Sequence, residues 1–197
     1  SQPCNGIVTL RPAPGDATLR IQKAIDDCFR AGGGTVTLEN GEYPVKGLRL
    51  RSNVTLYLKS GVLVKASRNC DDFAILSKDA LEPPYPGDIS TDPRWEDAGT
   101  YAERVFKCTN VYGSRWNNAV IRIYRAHDAA IIGEKGAVID GMNSYDPTNE
   151  EAYRGVHGVS AHMSRNLTFR GYTIRNTGNW AHQLRDCQDV LFEDVEI

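Results

Sequence analysis

The sequence predicts an all-β solenoid, a stack of parallel strands closed at one end by a single α-helix. Three observations point there. Asn166-Leu-Thr-Phe169 returns as Asp189-Val-Leu-Phe192, and Ile174 returns as Ile197, so one motif recurs 23 residues on at both of its ends. Self-similarity at a period of roughly 20–50 residues marks a solenoid. An Asn or Asp stands just before the strand in these copies, and again in Asn53-Val-Thr-Leu56. Such a side chain bonds back to its local backbone, which suits a tight corner, and it can stack on its counterpart in the next coil. Finally, an amphipathic helix precedes the first strand, where it can cover an exposed apolar end.

In chain order, residues 1–15 are rich in Pro and Gly and read as extended. Asp16 is a favourable N-cap. Ile21, Ala24, Ile25, Cys28 and Phe29 follow at helical spacing, which predicts a capping helix over about 16–31. Gly32-Gly-Gly34 ends it. Those glycines lack the Gly-Lys-Ser/Thr that a phosphate loop requires.

From Thr35 the hydrophobic period changes to two. Short strands are expected at Thr35–Leu38, Tyr43–Val45, Leu48–Leu50, Val54–Leu58 and Val62–Val64, divided by turn formers such as Asn40-Gly41 and Ser60-Gly61. Residues 67–118 interrupt the rhythm: Leu81-Glu-Pro-Pro-Tyr-Pro-Gly87 suits neither helix nor inner strand. Trp95, Tyr101, Tyr112 and Trp116 make this long insertion a candidate wall of a groove, or packing against the coils. Strands resume at Val120–Ile123, and Ala129–Ile132 is a weaker copy of the repeat. A second polar excursion covers 142–155. Alternation within each strand is also compatible with an antiparallel sandwich; the fixed spacing, the corner Asn/Asp and the single helix favour the solenoid.

Composition excludes several classes. With 41% hydrophobic and 24% charged residues, 197 residues can bury one sizeable core. The 23 Lys and Arg residues are scattered and the net charge is −2, so nucleic acid is not an expected partner. No apolar run reaches the roughly 18 residues of a membrane span. Ser1–Gly6 carries no signal peptide and could equally be a mature N-terminus. None of the five cysteines forms a Cys-x-x-Cys pair, so neither a metal site nor a cofactor is expected. Cys28 lies on the helix's apolar stripe, and a Cys70–Cys108 disulfide would suit a secreted protein. A count of five free thiols in denaturant would exclude that bridge.

The series Thr18-Leu-Arg-Ile-Gln-Lys-Ala-Ile-Asp-Asp-Cys28, Ala31-Gly-Gly-Gly-Thr-Val-Thr-Leu38, Asn40-Gly-Glu-Tyr43, Gly47–Leu58, Gly136-Ala-Val-Ile-Asp-Gly141, Asn179-Trp-Ala-His182 and Asp189–Ile197 resembles the N-terminal region of glycoside hydrolase family 28, the polygalacturonase-like family. The resemblance covers nearly the whole chain. It implies a right-handed parallel β-helix with one N-terminal capping α-helix. It also implies inverting hydrolysis of galacturonic-acid-containing (pectin-type) plant polysaccharide, and a secreted or periplasmic protein. The family's catalytic aspartates sit in an Asn-Thr-Asp and an Asp-Asp pair, and a Gly-His-Gly and an Arg-Ile-Lys accompany them. None occurs here in its proper context. Asn176-Thr-Gly178 has Gly for Asp, Asp26-Asp27 falls in the helix, Asp71-Asp72 precedes the insertion, and Val156-His-Gly158 begins with the wrong residue. No catalytic residue is therefore expected within 1–197. The chain reads as the N-terminal part of a single β-helix domain, and the apolar final strand predicts continuation beyond Ile197.

Candidate substrate contacts follow from the resemblance. His182 and Trp180, with Asn179, would lie on the groove side one coil before the first catalytic Asp. The alternatives are a packed histidine and a corner tryptophan. Arg154 and His157 open the preceding coil, where a guanidinium could pair with a galacturonate carboxylate or remain an exposed loop charge. Asp186, Asp189, Glu193, Asp194 and Glu196 read as a solvated acidic face. Asp140, before Gly141, reads as structural turn chemistry. Asn53 and Asn166 fit the glycosylation sequon but are corner residues. A polysaccharide lyase on this fold would need acidic Ca²⁺ ligands and a base, for which the sequence shows no cluster. A non-catalytic saccharide-binding β-helix is the reading from another class.

Overall fold

The structure, a computed structural model, describes residues 6–73, 119–144 and 155–197. Strand β1 (Gly6–Leu10) is followed by the helix α1 (Thr18–Arg30). The coils are then built from β2 (Gly34–Leu38), β3 (Gly41–Val45), β4 (Leu48–Leu50), β5 (Val54–Leu58), β6 (Val62–Ala66), β7 (Ala119–Tyr124), β8 (His127–Gly133), β9 (Val138–Asp140), β10 (His157–His162), β11 (Arg165–Arg170), β12 (Thr173–Arg175), β13 (His182–Arg185) and β14 (Gln188–Glu193). A short 3₁₀ turn spans Cys70–Asp72.

Successive strands fall in turn on three sheets. Sheet A has the order β1-β2-β5-β8-β11-β14, sheet B β12-β9-β6-β3 and sheet C β13-β10-β7-β4. Every pairing is parallel. This is a right-handed parallel β-helix of triangular section. Leu167 pairs with Val190 and Phe169 with Phe192, so the 23-residue offset in the sequence is one full turn of the coil. A parallel solenoid can thus show the in–out alternation usual for antiparallel sheets, because only one face of each strand is interior.

Alternate strand residues fill the prism. Val36, Leu38, Leu56, Leu58, Val64, Ile121, Ile123, Ile131, Ile139, Leu167, Phe169 and Ile174 are buried in one core. The helix closes its first end with Ile21, Ala24, Ile25 and Cys28, all buried. It begins at Thr18, with Ala17 in the N-cap position; Asp16 contributes from one residue further out, its carboxylate accepting the Thr18 N–H at 2.9 Å. Gln22 supplies the missing neighbour of β4: its amide donates to the Arg49 carbonyl (3.0 Å) and accepts the Arg49 N–H (2.7 Å). The otherwise open edge of sheet C is satisfied. Arg51 ties the helix down from the side, bonding Asp26 and lying 3.8 Å over the Phe29 ring.

The corner between sheets C and A repeats in every coil. Asn53, Asp128, Asn166 and Asp189 all have φ between 53° and 61°, the left-handed conformation that Asn and Asp tolerate best. The strand register stacks them one above another, and the Asn166 amide donates to the Asp128 carboxylate. The expected ladder of corner residues is present. Arg125, Met163 and Asp186 form a second left-handed column three residues earlier.

The B–C corner is the variable one. It takes 46–47 in the first coil, 67–118 in the second, 141–156 in the third and 176–181 in the fourth. Both excursions seen in the sequence leave from this one edge of the prism. Trp95, Tyr101, Tyr112, Trp116, Cys4, Cys108 and Arg154 lie outside the described residues, as does most of the 67–118 insertion and hence the Cys70–Cys108 bridge.

Candidate functional site

Sheet C borders the variable edge, and its outer face is built by simple alternation. Ile121 and Ile123 point inward on β7, Val159 and Ala161 inward on β10. The residues between them therefore point away from the prism, and Arg122, Tyr124, Ser160 and His162 are nonetheless buried. In register across the coils stand Arg49, Arg122, Ser160 and Gln183, with Tyr124, His162 and Arg185 beside them. No strand of this sheet carries an Asp or Glu.

The polar residues of the third and fourth coils are joined. Ser160 Oγ donates to Gln183 Oε1 at 3.1 Å, and His162 Nε2 lies 2.9 Å from Ser160 Oγ. Because the hydroxyl hydrogen goes to Gln183, the serine accepts from the imidazole, which assigns the Nε2–H tautomer to His162. The Tyr124 ring meets His162 edge-on, with centroids 5.0 Å apart. Burial pushes His162 down to about 3 against the upward pull of the Gln183 hydrogen bond, with smaller downward contributions from the nearby Arg185 and His157 charges. It is therefore a neutral hydrogen-bonding group at neutral pH. Neither it nor Ser160 is accessible enough to serve as a nucleophile–base pair.

The residues expected from the sequence are distributed as follows. Asn179, Trp180 and His157 come together at the B–C edge. Trp180 donates its N–H to His157 Nδ1 (3.2 Å) and accepts from the Gly158 N–H (2.9 Å), while its indole is 62% exposed. His157 is buried. The Asn179 side-chain nitrogen is buried without a partner among the described residues. His182 is separated from them. Its register partner is the inward-facing Val159, and it packs against Phe169 and Phe192, with Nε2 2.8 Å from the Tyr172 hydroxyl. Burial pushes its imidazole down to about 4 and the Tyr172 phenol well up. The packed-histidine alternative describes these surroundings.

Ser160, His162, Gln183 and Arg122 were not singled out from the sequence. Their signal is the alternation itself: polar residues interleaved with Val159, Ala161, Ile121 and Ile123. Asp140 starts the third coil's B–C excursion and is a structural clamp. It accepts from the Met142 N–H, Arg175 Nε (2.9 Å) and the Asn176 amide. Burial would raise its carboxyl, but these donors outweigh burial and hold it below its usual value. The acidic run at 186–196 is exposed or half-buried, with Asp189, Glu193, Asp194 and Glu196 in solvent. No group of three His, Cys, Asp or Glu suited to a metal occurs among the described residues, and no described helix is long and apolar enough to cross a membrane.

No protein-family model matches the chain, and no curated protein sequence matches it. Solved structures do. A putative glycosyl hydrolase from Parabacteroides merdae ATCC 43184 superposes with a TM-score of 0.64 at 18% identity, over 95% of this chain and 73% of its own. The polygalacturonase from Erwinia carotovora ssp. carotovora gives 0.60 at 17%, over 95% of this chain and 54% of its own. A family 28 exopolygalacturonase from Yersinia enterocolitica gives 0.58 at 18%, over 96% of this chain and 41% of its own. At these identities the likeness is one of fold. The chain spans about half the length of the two polygalacturonases.

Proposed function

We propose that this chain is part of an extracytoplasmic glycoside hydrolase of polygalacturonase type, acting on galacturonic-acid-containing polysaccharide. The B–C edge, where Trp180 is exposed, holds the polymer. The observation that carries this reading is the indole of Trp180, 62% exposed on the edge from which the 67–118 and 141–156 excursions leave. The polar row Arg122, Ser160 and His162 beside it is buried and supports the sheet from outside the prism.

Within the proposal Trp180 offers an exposed aromatic face for a sugar ring. Inverting hydrolysis needs two carboxyl groups roughly 6.5–9.5 Å apart. The strands of sheet C supply none, so the edge binds and orients the polymer while the acid and base belong to other parts of the protein. That same absence favours a second reading, a saccharide-binding β-helix without cleavage. Incubation with polygalacturonate decides between them. New reducing ends without an unsaturated product support hydrolysis. Unsaturated product would indicate a lyase. Retention on polygalacturonate without cleavage by the complete protein would indicate the binding module.

A further inference from the structure

Among the described residues, two clefts away from the outer face of sheet C have charges that differ in sign. The larger, about 540 Å³, sits at the A–B corner between Lys135 on one side and Asp194 and Glu196 on the other. One ammonium against two carboxylates leaves it net negative. The smaller, about 270 Å³, sits at the first-coil end of the B–C edge, among Asp16, Pro44, Val45, Lys46, Lys65 and Ser67. Two ammonium groups against one carboxylate leave it net positive. Among the described residues neither the Lys46 nor the Lys65 ammonium group has an ion-pair partner.

The smaller cleft is held rigidly. The Asp16 carboxylate is engaged by the Thr18 N–H (2.9 Å), and the Lys46 N–H is fixed on Thr18 Oγ1 (2.8 Å). Ala17 N–H donates to the Pro44 carbonyl (2.7 Å) and Ser67 N–H to the Val45 carbonyl (3.0 Å). The start of α1, the end of β3 and the end of β6 are thus bonded into one frame that carries both lysines. Its volume is just below the roughly 300 Å³ lower end of small-molecule pockets, so it admits the carboxylate side of one sugar and no more. It shares an edge with Trp180, two to three coils away, or roughly 10–14 Å.

We propose that this cleft is an anchoring subsite for the carboxylate of a uronate residue. The identity of the sugar rests on the galacturonate reading above. A polymer laid along the B–C edge meets an aromatic face at the fourth coil and a pair of ammonium groups at the first and second. Lysine ammonium groups are point charges with rotatable donors, suited to a carboxylate whose orientation varies. The net-negative A–B cleft is the internal control, since it repels the same group.

The test is ¹⁵N NMR of the full chain titrated separately with galacturonic acid, galactose and sulfate. Galacturonate is expected to shift the amides of Val45, Lys46, Ala66 and Ser67, while galactose leaves them unmoved and sulfate acts more weakly. The amides of Gly133 and Gly171 stay still. The double variant Lys46→Met/Lys65→Met is expected to keep the wild-type melting temperature and bind trigalacturonate about tenfold more weakly. Equal responses to galactose, equal responses to sulfate, or no response at these amides would each overturn the subsite. If trigalacturonate binds wild type and variant alike, the galacturonate reading stands and the subsite falls. If it binds neither, while the monomer still shifts these amides, the polymer reading falls instead.

Discussion

Each coil turns from sheet C to sheet A through the same few residues, whereas it turns from sheet B to sheet C through a length of chain that differs every time. At the C–A corner Asn53, Asp128, Asn166 and Asp189 repeat one left-handed conformation and stack in register. At the B–C corner the chain spends two residues at 46–47 and a long excursion at 67–118. The first corner is where stacking is specified; the second is where stacking makes no demand. A solenoid needs only enough repeated corners to hold its register. The edge left free can carry loops, an exposed tryptophan and lysines that have no ion-pair partner among the described residues, which is where binding groups collect on a rigid scaffold.

If the interior and the repeated corner hold the register, damage there should appear as lost stability, and damage at the free edge as lost binding. The largest effect expected is one of pH. His162 and His182 are held neutral, at about 3 and about 4, against an ordinary value near 6.5. The unfolded chain takes up protons first, so the stability these burials confer is complete above about pH 6.5 and falls as the pH drops toward 4 and 3. The slope reaches up to about 1.4 kcal/mol per pH unit for each ring. Urea midpoints at pH 7, 5.5 and 4.5 should decline, and His162→Gln should flatten that decline. An unchanged slope in the variant would show that His162 is not held neutral.

Next in size is Asp140→Ala, expected to cost about 2 kcal/mol by stranding the Met142 N–H and the Asn176 amide. Asp140 is the exception on the free edge, a clamp rather than a binding group. Its own carboxyl is depressed, so its contribution is present above the ordinary carboxylate range and fades as the pH falls through its lowered value. Denaturant unfolding at pH 7 and pH 3 should show the variant's deficit shrinking at low pH.

Asn166→Val should cost about 1–3 kcal/mol, because a β-branched residue is forced to a φ near 54° and the bond to Asp128 is lost. Asn166→Gly should cost less, since glycine accepts that backbone. Equal melting temperatures for the two would remove the conformational account of the ladder. Smallest of all in stability is Trp180→Ala, within about 0.5 kcal/mol for an exposed side chain. The same change should weaken binding of a galacturonate oligomer several-fold, read by titration calorimetry. A variant that melts early but binds normally would place Trp180 with the corners rather than with the edge.

Much of the architecture is legible in the residues themselves. The spacing of Ile21, Ala24, Ile25 and Cys28 determines a helix with one buried stripe, since only side chains three and four apart share a face. The corner Asn and Asp determine where each coil turns, because few other residues accept the left-handed backbone. The 23-residue repeat determines that strands stack in parallel. All three are properties of neighbours in the chain.

What the tertiary structure decided is which side chains meet across coils. His182 stands beside Trp180 in the sequence, yet pairing with Val159 turns it into the core. A shift of one residue in that register would have placed it outside. Ser160, His162 and Gln183 form one network only because the fourth coil stacks on the third. Lys46 and Lys65 share a cleft because the ends of β3 and β6 lie side by side. Periodicity says which residues face in or out along one strand. Register between strands is settled only when the corners close and the whole stack packs, and the candidate site is made of contacts of that second kind.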